Sequence, residues 1–362
     1  MDTIVPMVRT PPRARPPKKK TRAKSKKAVT QPIGKVEKKL PRDINGEVQA
    51  PKVLKSPEPT PQRQSLTQIL GTILAGDAFD LFERMPKSSV DLIITSPPYW
   101  GHRDYKLKHN WELFNDIPSA RKFGSASSGY GWYRSKGGIL GLEPYPEWYL
   151  SHLIEIFAKA SPCLKQAGSV WVNLGDTYFA RWSSIRNNGR QGLGDKSRER
   201  RKTPMGGFRA EKQLLLLPAR FAIGMQDHGW ILRNELIWQK PNVLPLRESD
   251  RLNHSHEHFF HFVKKPKVGR PRYYYDLDAV ENRQSDVVSV KVERGEDGHT
   301  ATFPRALIKP RILSSCPVDG VVLDPFCGTG RALTVAAEAG RRGIGFDLQP
   351  TFAEAAAKRM TQ

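Results

Sequence analysis

Thr95-Ser96-Pro97-Pro98-Tyr99-Trp100 brings a hydroxyl, two proline carbonyls and an aromatic face together in one short stretch. It follows Val90-Asp91-Leu92-Ile93-Ile94, an apolar run with the length and branching of a buried strand. Two consecutive prolines cannot donate to a ladder, so the strand must stop there. The Pro97 and Pro98 carbonyls are then claimed by neither helix nor sheet. Hydroxyl and carbonyl oxygens so placed can accept from the amine of a flat ring, and Tyr99 can stack on that ring. A second stretch answers it near the other end of the chain. Val321-Val322-Leu323-Asp324-Pro325-Phe326-Cys327-Gly328-Thr329-Gly330 reads as a buried strand running into a glycine turn, with a helix starting near Arg331. Gly328 and Gly330 let the backbone approach a ligand closely, and a helix N-terminus favours a carboxylate.

These residues need a scaffold, and the rest of the pattern supplies one. Leu70–Asp77 predicts a strand ending in Gly-Asp, and Ala78–Arg84 a short helix leading back to the strand at Val90. Pro146–Leu164 has helical spacing of apolar residues, and Ser169–Asp176 reads as a strand. Leu214–Asp227 predicts a helix and Trp230–Trp238 a strand. The glycine turn is followed by a helix at Ala332–Ala339, a strand at Gly343–Asp347 and a last helix at Thr351–Met360. Alternating strands and helices imply an α/β fold with a doubly wound, mostly parallel sheet. Asp77, Ser96, Asp176, Asp324 and Asp347 all fall at carboxyl ends of strands, where such sheets bind ligands. Asp347 lies about 20 residues past the glycine turn, where an acidic residue accepts from ribose hydroxyls; helix capping is the plainer role for it and for Asp77.

Together the two stretches resemble the DNA amino-methyltransferases, which move a methyl group from S-adenosylmethionine (AdoMet) to an exocyclic base nitrogen. Ser96, Pro97, Pro98 and Tyr99 look like their catalytic (D/N/S)PP(Y/F/W) motif, and Asp324, Pro325, Phe326, Gly328 and Gly330 like their DPFxGxG cofactor motif. With the catalytic motif first, the order is that of the circularly permuted beta group, so the implied fold is the Rossmann-like methyltransferase sheet in permuted order. The resemblance runs from about residue 66 to the end. It takes in Trp100–Tyr105 with Gly141–Pro144, Asn173–Tyr178, Leu232–Asn242, His256-Glu257, Tyr273–Asp276 and Ala301–Pro304. It implies AdoMet contacts from Asp77, which would read the adenine, from Phe303 and Pro304, and from Asp347. Arg331 departs from the usual Thr of that motif. Tyr273–Tyr275 also reads as an edge strand.

The donor sets the chemistry. A base amine delocalises its lone pair into the ring, and hydrogen bonds to the Ser96 hydroxyl and Pro97 carbonyl pull the nitrogen toward tetrahedral geometry. Positioning and aligned acceptors then carry the catalysis. The proton leaves to water, so no metal is expected. A base stacked in a duplex is out of reach, which implies flipping. In the family, Ser at this position mostly marks N4-cytosine enzymes and Asp N6-adenine enzymes, so N4 of cytosine is the expected acceptor and N6 of adenine the alternative. C5-cytosine chemistry would need a thiolate; Cys163 reads as core and Cys327 lies in the cofactor turn. A dinucleotide dehydrogenase would want a third glycine where Leu333 stands. A non-catalytic nucleic-acid binder on this fold would have no use for Ser-Pro-Pro-Tyr.

A formal charge of +23 points to a polyanion, with double-stranded DNA as the partner the motifs select. Residues 1–62 are rich in Pro, Lys and Arg and are expected to be a disordered tail that holds DNA by counterion release, followed by a methyltransferase domain over 63–362. Residues 101–141 form a polar, aromatic insert suited to a lid or a DNA contact. The basic loop 179–212 carries Arg181, Arg186, Arg190, Arg198, Arg200 and Arg201 as nucleic-acid contacts, with Arg103 beside the motif, and 247–300 is the expected target-recognition region. Three scattered cysteines fit a reducing compartment, and no apolar run suits a membrane. A cytoplasmic enzyme of a bacterium or phage is expected, a monomer or homodimer, with room for a restriction endonuclease partner.

Overall fold

Val90–Thr95 is buried along its whole length, as a strand covered on both faces must be. In the computed structural model it is β2, paired in parallel with β3 (Leu164–Leu174) on one side and β7 (Val321–Asp324) on the other. The remaining strands are β1 (Ile73–Ala75), β4 (Trp230–Gln239), β5 (His256–Lys264), β6 (Val287–Ser289) and β8 (Arg342–Asp347). They form one eight-stranded sheet in the order β1-β8-β7-β2-β3-β5-β4-β6. From β1 to β3 every pairing is parallel; β5 runs antiparallel to both β3 and β4. The structure describes residues 63–101, 108–110, 113, 129–179, 205–243, 249–280, 285–293 and 304–360, within a unit spanning Pro59–Gln362. The tail 1–62 and residues 180–204 of the basic loop, with its six named arginines, lie outside them.

Alternation along the strands sorts the core into two layers. Ile93, Val170, Val172 and Leu323 face one way, against α2 (Ala78–Arg84), α4 (Pro146–Ala160) and α5 (Leu217–Asp227). Leu92, Ile94, Trp171 and Val322 face the other, against α6 (Arg305–Ser315) and α7 (Arg331–Glu338). The short helices α1 (Leu66–Ile69) and α3 (Tyr130–Ser135) and the C-terminal α8 (Pro350–Met360) complete the set.

Three regions hold structure that the sequence reading did not assign. Within 247–300, residues 256–264 are the sheet strand β5, with Phe259, Phe260, Phe262 and Val263 buried. Tyr273–Tyr275 is no edge strand: the Tyr274 N–H donates to Ala167, and the Tyr275 ring stacks on buried His261. The polar insert 101–141 ends in a folded element, α3, whose Tyr130 and Tyr133 pack into the core on His152 of α4. The Tyr130 and Tyr133 rings are thereby buried, while Trp132 between them stays exposed.

The insert leaves and returns at one point. Gly101 N–H donates to the Gly141 carbonyl at 2.8 Å, and the Trp100 indole donates to the Glu143 carbonyl at 2.9 Å. Glu143 is buried; its Oε2 accepts from Gly141 N–H at 2.8 Å and its Oε1 lies 3.1 Å from Nδ1 of buried His152. At the sheet centre Thr95 Oγ1 donates to Asp324 Oδ1 at 2.6 Å, tying β2 to β7. Burial, reinforced by the nearby Asp347 charge and opposed by hydrogen bonds from Thr95 and Phe326, pushes the Asp324 carboxyl up to about 7.

Glu143→Ala removes a buried acceptor from two partners and should cost about 3 kcal/mol in denaturant unfolding; a loss under about 1 kcal/mol would show that the insert ends close without it. For Asp324, a folded pKa above the unfolded one means that its contribution to stability is present below the unfolded value and is lost as pH rises toward about 7. Asp324→Asn keeps the acceptor and removes the titration. Its stability relative to wild type should therefore rise by on the order of a few kcal/mol between pH 4 and 7 and then level off; a pH-independent difference would refute this.

Candidate active site

The parallel strands set five carboxyl ends on one edge: those of β1, β8, β7, β2 and β3. Asp77, Asp347, Asp324, Ser96 and Asp176 follow those ends in that spatial order. Connections run outward to opposite sides from the neighbours β7 and β2, so the switch point lies between the glycine turn and the Ser-Pro-Pro-Tyr stretch.

On the β2 side, the proline pair ends the strand and leaves two carbonyls that accept nothing from the described residues. Ser96 Oγ donates to the Tyr99 hydroxyl at 3.1 Å, and Tyr99 donates to Glu257 Oε2 at 2.8 Å. Asn173 Nδ2, at the end of β3, donates to the Tyr99 oxygen at 2.7 Å and to Glu257 Oε2 at 2.5 Å. Lys240, just past β4, forms an ion pair with Glu257 Oε1. Burial opposes the Glu257 charge, but Lys240 and the hydrogen bonds from Lys240, Asn173 and Tyr99 outweigh it and hold the carboxyl below its usual range. Burial and then the Glu257 charge hold the Tyr99 phenol well above its usual value, so it stays protonated. A Cβ on Gly175 would come 2.9 Å from the Tyr99 ring, which is why the residue after Leu174 has none.

On the β7 side, Gly328 and Gly330 have φ of +50° and +75°, the left-handed values a tight turn needs. A side chain on Gly328 would project into open space beside the turn. Gly328 N–H donates to Asp347 Oδ2 at 3.0 Å, while Asp347 Oδ1 accepts from Gln349 at 2.8 Å. Gly76 N–H donates to the Asp347 carbonyl at 2.8 Å, which fixes the β1 end against the β8 end. Asp77 does cap α2, accepting from Phe79 N–H at 2.9 Å, and its other oxygen accepts from the Tyr130 hydroxyl at 2.8 Å. Burial raises its carboxyl above the ordinary value. Phe326 stays partly open in the turn, and Arg331 forms an ion pair with Glu293.

Asp176 is occupied with structure: its Oδ1 accepts from Thr177 and Leu217 N–H groups and holds the start of α5. Pro304 opens α6. Phe303, Arg103, Arg181, Arg186, Arg190, Arg198, Arg200 and Arg201 lie outside the described residues. Cys163 is buried and pushed up to about 12, first by burial, and burial likewise raises Cys327, so neither is a ready thiolate. Sequence reasoning gave no role to Asn173, Lys240 and Glu257. Their only signal was membership of matching segments, because the contact between them needs β4 and β5 side by side.

Comparison with known proteins agrees with this geometry. A family model described as DNA methylase matches residues 90–358. Type II methyltransferase M.Cfr9I of Citrobacter freundii is 32% identical over 297 residues, covering 80% of this chain and 87% of its own. Type II methyltransferase M.SmaI of Serratia marcescens is 30% identical over 298 residues, covering 80% and 90%. Among solved structures, PvuII DNA methyltransferase (cytosine-N4-specific) superposes with a TM-score of 0.54 at 18% identity, covering 80% of this chain and 89% of that one. A putative DNA modification methylase from Thermus thermophilus, complexed with S-adenosyl-L-methionine, gives 0.50 at 22% identity, covering 80% and 93%. Both share the fold. With a family model over most of its length and relatives at 30% identity or more over four-fifths of it, the chain belongs to the DNA methylase family.

Proposed function

We propose that the chain transfers the methyl group of AdoMet to the exocyclic amine of a base flipped out of double-stranded DNA, with N4 of cytosine as the acceptor. One observation carries the reading. A hydroxyl and two proline carbonyls stand beside a left-handed glycine turn on the same sheet edge, and Thr95 and Asp324 bind the two together. The relatives' designation as Type II methyltransferases supports methyl transfer, and a modification role in the cytoplasm beside a restriction endonuclease suits it.

The residues present fit the cofactor. No atom of the described residues beyond its chain neighbours lies within 4 Å of where a Gly328 side chain would begin, the Gly328 N–H meets the Asp347 carboxylate, and Asp347 and Asp77 stand at neighbouring strand ends of the same edge. Asp347 and Asp77 would hold the ribose and adenine, and the start of α7 the methionine carboxylate. AdoMet supplies an electrophilic sulfonium methyl. Ser96 Oγ and the Pro97 carbonyl accept from the two amine hydrogens, pull the nitrogen toward tetrahedral geometry and draw its lone pair out of conjugation with the ring. These acceptors also stabilise the positive charge that develops on nitrogen. Tyr99 offers its ring to the base while its hydroxyl is tied down, so the ring is held without rotation. Once the methyl is transferred the ammonium proton is strongly acidic and leaves to water. Ser96 marks cytosine because the resembling enzymes with Ser here mostly modify N4.

The deciding experiment incubates the purified protein with unmethylated DNA and labelled AdoMet and identifies the product nucleoside by mass spectrometry. N4-methylcytosine is expected. N6-methyladenine would keep the catalytic residues and overturn the base, and no methylated nucleoside on varied DNA would sink the methyl-transfer reading. Ser96→Ala and Tyr99→Ala should each lower turnover by about 100-fold or more while AdoMet still binds in calorimetry; unchanged turnover in both would refute the mechanism. Asp347→Ala should weaken AdoMet binding by roughly 10-fold or more, through lost hydroxyl contacts and a looser Gly328 turn, with turnover largely restored at saturating AdoMet.

A further inference from the structure

We infer that Glu257 is a positioning residue which, through Tyr99, fixes the Ser96 hydroxyl as an acceptor for the incoming amine. The role rests on the methyl-transfer reading above. It follows from counting hydrogens along the chain Ser96–Tyr99–Glu257. A carboxylate can only accept. Glu257 receives Lys240 on one oxygen and Tyr99 and Asn173 on the other. The single phenol proton is therefore committed to Glu257. The Tyr99 oxygen is left as an acceptor, and it takes Asn173 Nδ2 at 2.7 Å and Ser96 Oγ at 3.1 Å. That commits the single Ser96 proton to Tyr99. What Ser96 turns to a ligand is lone pairs alone, and no described residue donates to them.

A free serine hydroxyl faces an amine as donor or acceptor indifferently, and as a donor it would compete for the lone pair that must attack the methyl group. The directed chain removes that choice. Where an acidic residue at the Ser96 position would carry the charge itself, here the negative charge sits one tyrosine away on β5. It is half-buried and paired with Lys240, and it acts on the base only as the polarity of a hydroxyl. Asn173 makes the arrangement rigid, because its amide donates to both Tyr99 and Glu257 and so selects the acceptor face of each.

Glu257→Gln is nearly isosteric and breaks the logic. Its amide can donate to the Tyr99 oxygen, which frees the phenol proton to turn toward Ser96 and lets Ser96 donate outward. Steady-state kinetics on DNA, AdoMet calorimetry and thermal melting of each variant test the role. In Glu257→Gln, kcat should fall about 100-fold, with AdoMet Kd within about twofold and the melting temperature within a few degrees, while Glu257→Asp, which keeps the charge, should recover part of the loss. The pH profile separates a charge role from a packing role. The titratable and charged groups around Glu257 are Lys240, Tyr99 and His254. Lys240 holds Glu257 ionised against burial, so Lys240→Gln should move the acid limb of kcat to higher pH, and Glu257→Gln should abolish that limb.

A wild-type kcat in Glu257→Gln would overturn the role. So would loss of activity only in step with AdoMet binding and melting temperature, with the acid limb unmoved in Lys240→Gln, since that describes packing alone. Both outcomes leave methyl transfer by the wild-type protein standing. A wild type that methylates no nucleoside sinks the underlying reading and this role together.

Discussion

The buried hydrogen bond from Thr95 to Asp324 joins residues 229 apart in sequence, and the site is arranged around it. It lies across β2 and β7, the neighbouring strands from which the chain departs in opposite directions. One residue past Thr95 is Ser96; past Asp324 the glycine turn begins. Holding those two strand ends together therefore holds the acceptor oxygens of one stretch against the ligand-shaped turn of the other. A parallel sheet makes this economical, because each strand delivers its next polar residue to the same edge. The cost is a carboxyl kept out of water, which shows in the raised Asp324 value.

Charge is divided between surface and site. The whole chain carries +23, yet its described edge gathers Asp77, Asp324, Asp347 and Glu257. Each of these carboxylates is tied by hydrogen bonds, to Tyr130, to Thr95, to backbone N–H groups or to Lys240. Under the proposed function the two signs serve different partners. The positive excess acts at long range on a phosphate backbone and weakens with salt. The hydrogen-bonded carboxylates act at short range, on a cofactor that brings a sulfonium cation and on an amine that becomes cationic as it reacts.

The sequence was most legible where strands end. Apolar runs stopped by Gly-Asp, Ser-Pro-Pro or Asp-Pro gave β1, β2 and β7, and the five polar residues after strand ends proved to share one edge. It was least legible where burial contradicts residue type. In β5, His256, Glu257, His258 and His261 interrupt the phenylalanines, yet the strand lies inside the sheet because His261 stacks on Trp171 and bonds Ser169. In α6, Pro310 and the charged residues hide a helix whose Leu307, Ile308 and Ile312 cover the second face of the core. Missing β5 meant missing Glu257, and so the reason for the Tyr99 hydroxyl. Sequence could assign the ring to stacking, but the oxygen's partners sit on β3 and β5, and only the sheet order brings those to it.

The insert after Trp100 shows how such a site tolerates added chain. A closed excursion costs entropy that grows only slowly with its length, provided its ends already meet. Here they meet in the Gly101–Gly141 hydrogen bond, and Glu143, His152 and Trp100 lock the junction next to the Ser-Pro-Pro-Tyr stretch. The end of the excursion is then folded back as α3. Its Tyr130 reaches Asp77 at the end of β1, and Arg134 pairs with Asp80 one turn further along α2. The Ser-Pro-Pro-Tyr stretch and α2 are thus both held by the same segment. The two ends of the insert are fixed to each other directly beside Trp100, so the Ser96 stretch leaves the sheet into a closed junction.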